Sequence, residues 1–372
     1  MRWGYETVPI GKLVDPIKKW DPHKSESNKT LTYIDIASVS RETKQIEEVS
    51  KINAYEAPSR ARQLVKDSDV LVSTVRPNLN AVAQVESEHD GATASTGFCV
   101  LRPKLNSLDS RFLYYWVRTP YFVEDMTRQS TGASYPAVSD SIIKKHFIPL
   151  PPIEEQRRIA AILDKADAVR RKRKEAIRLT EDLLRATFLD MFGDPVTNPK
   201  GWEIVELGSV TESKLGKMLS KAAKQGVNPV PYLGNSHVRW RSFELEDLPT
   251  MDFTEAELQK LDLKNGDLLV CEGGEVGRCA IWREELQRIS FQKAIHRVRC
   301  NGNRVIPEYL QEYFYMMALS GGLMSSTSLA TIAHLTGVRL KKLPLPLPPL
   351  YLQKQFQGFY LYYETTGTKY AD

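Results

Sequence analysis

The sequence is poor in cysteine and has none of the spacings that hold metals or build disulfide frameworks. Its cysteines include no CxxC pair, and no histidine stands at zinc-finger spacing from any of them. Free or buried thiols in a reducing cytoplasm fit this pattern, so the sequence predicts no disulfide and no metal ligand. The four cysteines are Cys99, Cys271, Cys279 and Cys300.

Export and membrane signals are also missing. The first residues, MRWGYETVPI, contain no apolar core of a signal peptide, and no apolar run approaches the roughly 18 residues that span a bilayer. We therefore expect a cytoplasmic protein without a membrane partner. The 372 residues suffice for two or three globular domains. The net charge of +5 is compatible with an anionic partner but is weak evidence for one.

Catalytic motifs are absent as well. Gly216-Lys217 is followed by Met218 rather than by Ser or Thr, which excludes a phosphate-binding loop of the usual kind. The glycine-rich residues 273–277 follow a predicted strand, but Glu272 and Glu275 would repel a phosphate, so a tight turn is favoured. The six histidines have no Ser or Cys partner at a usable spacing. The sequence thus predicts no catalytic residue, and an enzyme acting alone is the least favoured class.

One long stretch, Ile153–Phe192, contains neither proline nor glycine and is rich in good helix formers. The segment IPLPP precedes it, and Gly193 and Pro195 follow it, which predicts where the helix begins and ends. Forty helical residues would span about 60 Å. Apolar residues recur on it at spacings of three and four, which favours a coiled-coil seam over a long surface helix lying on a domain.

A basic run, RRKRK, lies in the middle of this predicted helix at residues 170–174. Such a run can contact a phosphate backbone. Acidic residues on the same helix nearly balance its charge, however, and a solvated face is the favoured interpretation.

The strongest sign of organisation is an internal repeat with an offset of 197 residues. Residues 5–11 align with residues 202–208, and residues 148–152 align with residues 345–349. Gln156 aligns with Gln353 in the same register. A repeat of this length is a duplicated domain, and the dissimilar interior indicates that the two copies share a scaffold but present different residues.

Each copy has the same predicted layout, with several short strands, one helix, a polar loop and then the proline-rich segment. The predicted strands are residues 6–10, 32–36, 69–74 and 97–102 in the first copy, and 203–207, 230–233, 267–271, 279–282 and 294–299 in the second. The predicted helices are residues 110–118 and 307–318, and the polar loops are residues 130–136 and 325–331. This pattern predicts an α+β fold with a mixed sheet in each copy.

Candidate binding residues follow the buried strands and precede the proline-rich segments. Arg, Asn and Gln suit the edges of guanine and adenine in the major groove, and basic residues suit phosphates. Each residue alone is more often a solvated surface group, but basic residues recur at matched positions of the two copies. The candidate DNA-binding residues are Arg76, Asn78, Asn80, Lys144, Lys145, Arg278, Gln292, Lys293, Arg339, Lys341 and Lys342.

The chain resembles the specificity subunit of type I restriction–modification systems. The resemblance is carried by the motifs IPLPPIEEQRRIAAILDKAD, FLDMFGDPVTNPKGWEIVELG, DVLVSTVRPNLN, STGFCVLRP and DLLVCEGGEVGRCAIW, and it covers essentially the whole chain. It implies a non-catalytic subunit whose two target recognition domains each bind one half of a split, asymmetric DNA site. Double-stranded DNA, two modification subunits and restriction subunits would be its partners. S-adenosylmethionine, ATP and Mg would belong to those subunits, so no cofactor is expected in this chain.

The resemblance also implies a domain plan. The first recognition domain would be residues 1–152, the long spacer helix residues 153–193, the second recognition domain residues 194–349, and a shortened second spacer helix with the C-terminal tail residues 350–372. The two spacer helices would pair as an antiparallel coiled coil. The residues assigned to this coiled coil or to subunit docking are Ile159, Ile162, Leu163, Ala166, Val169, Ile177, Leu183, Leu184, Phe188 and Gln353.

The C-terminal tail GFYLYYETTGTKYAD departs from the family pattern. Gly358, Gly367 and the threonines are poor helix formers, so we expect only a short second helix. An apolar stretch near residues 176–191 would then remain exposed.

A second class of function remains open from the residues themselves. The two domains could grip protein partners as a scaffold or clamp that does not bind DNA. Salt separates the two interpretations, because DNA binding through phosphates weakens steeply with salt and a hydrophobic clamp does not.

Overall fold

The computed structural model describes residues 4–24, 29–284, 288–325 and 334–371. It divides into two units, Met1–Lys172 and Arg173–Asp372, and the boundary falls within the long helix. The described elements combine helices with mixed sheets, as the sequence predicts for an α+β fold.

Unit 1 contains two four-stranded sheets. The first has the order β2-β9-β6-β7 and the second the order β4-β3-β8-β5, in which β3 and β8 are parallel. Strand β1 pairs with β10, which places the proline-rich segment against the start of the chain. The strands are β1 Thr7–Pro9, β2 Val14–Asp15, β3 Thr30–Ile34, β4 Ser50–Asn53, β5 Ala61–Leu64, β6 Val70–Ser73, β7 Val82–Gln84, β8 Thr93–Ser95, β9 Phe98–Pro103 and β10 Phe147–Pro149.

The helices of unit 1 pack on the first sheet. Strand β6 is buried at every position, because α1 covers one face of its sheet and the second sheet packs on the other. Helix α2 is not among the predicted helices; Thr119 caps it by accepting a hydrogen bond from the Phe122 amide. The helices are α1 Ser110–Trp116, α2 Pro120–Arg128, α3 Asp140–Lys145 and the first part of α4 Ile153–Phe192.

Unit 2 repeats this arrangement. One sheet has the order β12-β20-β17-β18, and another has the order β16-β13-β19 with β13 and β19 parallel. Strand β11 pairs with β21 as β1 pairs with β10. The strands are β11 Glu203–Glu206, β12 Thr211–Leu215, β13 Pro229–Leu233, β14 Val238–Arg239, β15 Ser242–Phe243, β16 Thr250–Asp252, β17 Leu268–Cys271, β18 Cys279–Ile281, β19 Ser290–Phe291, β20 Ile295–Cys300 and β21 Pro344–Leu347. The helices that begin in unit 2 are α5 Glu255–Lys260, α6 Pro307–Leu319, α7 Gly322–Ser325, α8 Gly337–Lys341 and α9 Leu350–Ala371.

The duplication extends to individual hydrogen bonds. The side-chain oxygen of Gln156 accepts from the Asp109 amide at 2.9 Å. Its nitrogen donates to the carbonyl oxygens of Ser107 and Pro151. Gln353 makes the same three bonds in unit 2, each to the residue 197 positions further along the chain. Both glutamines tie the start of a helix to the preceding domain, which explains the glutamine that follows each proline-rich segment.

A buried ion pair is duplicated in the same way. Arg102 donates from Nε and Nη2 to the carboxylate of Asp69 at 2.9 and 2.7 Å. Arg299 donates to Asp267 with both distances at 2.7 Å. Each aspartate precedes the buried strand of its unit, so these pairs fix the start of β6 and of β17 against the neighbouring strand.

Helix α4 has the predicted bounds, but its faces differ from the predicted seam. Leu184 and Phe188 are fully buried in the core of unit 2. Ile162, Val169 and Leu183 are 53%, 67% and 55% exposed. The sequence assigned all five to one apolar seam. The residues that the units cover are instead Gln156, Ala160 and Asp167 in unit 1, and Leu184, Phe188 and Phe192 in unit 2.

Helix α9 is longer than its composition predicts. It runs through Gly358 and the threonines to Ala371, which corrects the expectation of a poor helix. Phe356 and Tyr360 are buried one turn apart, and Phe188 and Phe192 of α4 contact the Phe356 ring at 5.6 and 5.5 Å. Tertiary packing outweighs the weak propensities here. The apolar stretch expected to be exposed near residues 176–191 is divided, because Leu184 and Phe188 are buried in unit 2 whereas Leu179 and Leu183 are 53% and 55% exposed.

Candidate nucleic-acid interface

In unit 1, the loop after β6 is joined to the polar loop that precedes α3. The Arg76 amide donates to the Pro136 carbonyl at 2.7 Å, and the Val138 amide donates to the Thr74 carbonyl at 2.8 Å. The Arg76 guanidinium lies over the Tyr135 ring at 4.7 Å. This contact fixes the plane of the guanidinium at the edge of the unit. Tyr135 was not among the predicted site residues, since a contact across about 60 positions leaves no local signal.

The two asparagines of this loop have different environments. Asn78 is exposed, so its amide is available to a ligand. Asn80 has φ +49°, donates from its side chain to the Arg118 carbonyl at 3.3 Å, and accepts from Lys44 at its own carbonyl at 2.5 Å. The structure therefore leaves the Asn78 amide accessible and gives Asn80 internal bonds that position the loop. Base contact by either residue stays a prediction.

In unit 2, the loop of residues 272–278 is held by neighbouring segments. The Leu335 amide donates to the Glu272 carbonyl at 2.7 Å. Arg278 pairs with Glu275 at 3.0 Å and donates to the Asn235 carbonyl at 2.7 Å. Its side chain is only 15% exposed. The Arg278 guanidinium thus braces the loop through its internal partners, and its contact with DNA stays a prediction.

Gln292 and Lys293 lie in the turn between β19 and β20. The Gln292 amide donates to the Leu233 carbonyl at 3.0 Å, and the Lys293 amide donates to the Lys217 carbonyl at 2.8 Å. Lys293 is exposed and Gln292 is half-buried. Their main chains are therefore fixed while the Lys293 side chain remains available.

The basic residues before the proline-rich segments occupy equivalent places. Lys144, in the last turn of α3, packs against Gly11, and Lys341, the last residue of α8, packs against Gly208. Lys145 and Lys342 follow them on the exposed surface. Lys144 and Lys341 thus each contact the glycine that follows the first strand of their unit. These contacts do not connect them to the loops of residues 75–80 and 272–278. Arg339, also on α8, is half-buried and donates to the His334 carbonyl at 3.4 Å.

The residues predicted for docking separate into two groups. Ile162, Leu163, Ala166, Val169 and Leu183 are exposed. Ile159 and Ile177 are half-buried. Leu184, Phe188 and Gln353 lie fully inside unit 2, where Phe188 packs on Phe356 of α9, so of the two predicted roles a contact between the helices suits them better than a surface for another subunit.

An apolar groove runs along the first part of α4 in unit 1. Its volume is about 260 Å³. Phe112, Trp116, Ile159 and Leu163 are among its lining residues. The equivalent aromatic face in unit 2 is covered, since Phe188 and Phe192 of α4 pack on Tyr309 and Phe356 there.

The described residues contain no cluster of three or more His, Cys, Asp or Glu side chains that could hold a metal ion. Burial raises the pKa of the Cys99, Cys279 and Cys300 thiols well above the usual value, which keeps them protonated. Among the described helices, none combines the length and apolar character that crossing a membrane requires.

Comparison with known proteins then decides the family. The sequence profile described as "Type I restriction modification DNA specificity domain" matches twice, at residues 4–179 and 199–358. The chain belongs to this family. The two matches agree with the duplication seen in the hydrogen bonds.

Three similar proteins illustrate the relationship. The MjaIX specificity subunit of Methanocaldococcus jannaschii is 30% identical over 139 residues, which are 33% of this chain and 32% of that protein. The EcoKI specificity subunit of Escherichia coli K12 is 23% identical over 308 residues, or 77% of this chain and 66% of that protein. A chain from a solved structure on complex assembly and conformational transition of the type I R-M system is 27% identical. Its TM-score is 0.52, with 98% of this chain and 94% of that chain covered. Each sequence alignment with the two specificity subunits thus spans less than two-thirds of the relative.

Proposed function

We propose that this chain is a non-catalytic, cytoplasmic DNA-recognition subunit of a type I restriction–modification complex. Each unit would read one half of a split, asymmetric site. The observation that carries the proposal is a scaffold that the two units share, with loops that differ between them. The same glutamine bonds and ion pairs hold both units, whereas the loops after β6 and β17 differ in sequence and in charge. Two unlike loops on one scaffold suit two unlike half-sites.

The first half-site would be read by the Arg76 loop. Arginine recognises guanine through two parallel hydrogen bonds in the major groove, and asparagine recognises adenine in the same way. The Tyr135 ring holds the Arg76 guanidinium in place, and the adjacent Asn78 is exposed. In unit 2, Gln292 and Lys293 would take this role, with Arg278 as a brace. Lys144, Lys145, Arg339, Lys341 and Lys342 would contact phosphates at equivalent places of the two units.

The helices would supply the contacts with other subunits. The exposed side chains Ile162, Val169 and Leu183 and the groove at Ile159 and Leu163 form apolar surfaces that suit protein partners. We propose that two modification subunits dock on these surfaces. The restriction subunits would join the same complex. S-adenosylmethionine, ATP and Mg would be bound by those subunits, and no cofactor by this chain.

The pairing of α4 with α9 would form the spacer. Phe192 and Phe188 contact Phe356. Seven residues further along α9, burial raises the pKa of Tyr363 and the negative charge of Glu181 raises it further. The neighbours of α9 therefore lie nearer the start of α4 as α9 proceeds, which is the order of an antiparallel pair. We propose that this pair is the antiparallel coiled coil that sets the distance between half-sites.

The first test is co-expression with a matching modification subunit in a host free of DNA methylation, followed by mapping of N6-methyladenine across the genome. We expect a split motif with two unlike halves at a fixed gap. In binding assays on that DNA, affinity should fall by about 10³-fold or more between 50 and 200 mM salt, on a straight log–log line. Salt-independent assembly with no DNA binding would instead support the protein-clamp alternative.

Replacing Arg76 with alanine is expected to relax recognition at one base pair of the first half-site. The loss of a bidentate contact should cost about 1–3 kcal/mol of discrimination there and leave the second half-site unchanged. Competition binding with single-base variants measures this. Arg128→Ala is the matched control, since Arg128 is exposed and pairs with Asp125 on its own helix. Equal weakening on every sequence would contradict base reading and make Arg76 a phosphate contact.

A further inference from the structure

In unit 1, two arginines of the basic run at residues 170–174 belong to a cluster of charged side chains around Asp167. The Asp167 side chain is 7% exposed and lies among three arginines. Arg170 approaches its carboxylate at 2.6 Å, Arg118 at 3.6 Å and Arg171 at 3.9 Å. One carboxylate thus serves three guanidinium groups, one of them from the domain and two from α4.

Lys44 adds a further cation to this cluster. Burial lowers the pKa of its ammonium group below the usual value, and the positive charges of Arg118 and Arg170 lower it further. A second carboxylate, Asp164, accepts hydrogen bonds from Arg111 and from the Tyr115 hydroxyl. Among the described residues that these contacts join, five cations therefore face two carboxylates. These groups are Lys44, Arg111, Arg118, Arg170 and Arg171 against Asp164 and Asp167.

Unit 2 shows that the scaffold does not require this surplus of positive charge. Arg241 stands 197 positions after Lys44, and both have a positive φ, +64° and +59°. Arg241 donates to Glu312 through two bonds of 2.6 and 2.7 Å. It also lies over the Tyr315 ring at 4.0 Å. Tyr315 is the equivalent of Arg118. In unit 2, Arg241 is therefore neutralised by Glu312 and stacked on Tyr315. At the equivalent place in unit 1, Lys44 lies near a second cation, Arg118.

We propose that Lys44, Arg118, Arg170 and Arg171 bind a backbone phosphate of the DNA whose bases the Arg76 loop reads. The inference rests on the proposed function and extends it to the long helix. Lys44 connects the two places, because its Nζ donates to the Asn80 carbonyl at the end of that loop.

A phosphodiester group suits this cluster chemically. Arg170 and Arg171 have side chains that are 63% and 40% exposed, so they can reach an anion in solvent. Arg118 is held over the rings of Tyr114 and Tyr115 at 4.5 and 5.1 Å, so it is fixed before binding. A bound phosphate supplies the missing negative charge, and a planar guanidinium can donate two bonds to it. Such a contact would fix the position of the first half-site relative to α4.

The test is DNA binding by the full chain in its complex with modification subunits, measured against salt. The double variant Arg170→Ala/Arg171→Ala should lower the magnitude of the log–log slope by roughly 1–2 and weaken binding equally on all sequences. Lys44→Met should lower it by about 0.9. Arg157→Ala/Arg158→Ala is the matched control, because each of these arginines pairs with a glutamate three residues earlier on the same helix. It should leave the slope unchanged.

The outcomes separate the inference from the function on which it rests. If the Arg170→Ala/Arg171→Ala and Lys44→Met variants both keep the wild-type slope of log affinity against log salt, the phosphate site is overturned. The proposed function still stands in that case if the complex recognises the split motif. Failure of the wild-type complex to bind DNA overturns both. Loss of the modification subunit from the Arg170→Ala/Arg171→Ala complex overturns the phosphate site in favour of an acidic protein contact. Thermal unfolding of each variant shows that a changed slope does not come from misfolding.

Discussion

Glu312→Ala is expected to destabilise unit 2 by about 3–5 kcal/mol, because it leaves the Arg241 guanidinium buried without its counter-charge. Glu312 is fully buried and Arg241 is 9% exposed at the side chain. Burial alone lowers the pKa of Arg241, but the charge and hydrogen bonds of Glu312 outweigh this and raise the pKa above its usual value. Chemical denaturation followed by tryptophan fluorescence measures the change.

Two further variants show whether the unpaired charge is the cause. The double variant Arg241→Met/Glu312→Leu removes both charges and should be more stable than Glu312→Ala. Glu244→Ala breaks a pair of exposed side chains with Arg239 and should change stability by less than about 1 kcal/mol. Equal losses in the single and double variants would attribute the effect to packing instead.

Phe188→Ala is expected to cost about 3–5 kcal/mol and to release the end of α4 from unit 2. The Phe188 ring is fully buried and packs on Phe192, Tyr309 and Phe356. Truncation leaves a cavity between three elements that come from distant parts of the chain. Hydrogen exchange of the amides of residues 184–192 should accelerate together with those of α9.

Leu183→Ala is the matched control for this prediction. Leu183 lies five residues earlier on the same helix but is 55% exposed. Its removal should change stability by no more than about 0.5 kcal/mol, as for other surface positions. A large effect at Leu183 and none at Phe188 would mean that the two faces of α4 are assigned the wrong way round.

Features that depend on near neighbours along the chain or on self-similarity can be predicted from the amino-acid sequence. Composition and flanking Gly and Pro determined the bounds of the long helix, Ile153–Phe192. The offset of 197 determined the duplication, which the bonds of Gln156 and Gln353 confirm. The predicted buried strands at residues 69–74 and 267–271 are present as β6 and β17, because apolar runs bounded by polar residues require only local pattern.

Which side chains have partners depends on how distant segments of the chain pack together. Leu183 and Phe188 both fit the apolar heptad pattern. Phe188 packs against α6 and α9, whereas Leu183 is exposed. Arg76 and Arg278 follow equivalent strands, but Glu275 neutralises only Arg278. The Lys44 cluster joins residues that lie more than 70 positions apart in pairs such as Lys44 and Arg118. Such contacts depend on the packing of distant segments, and neither periodicity nor propensity along the chain records them.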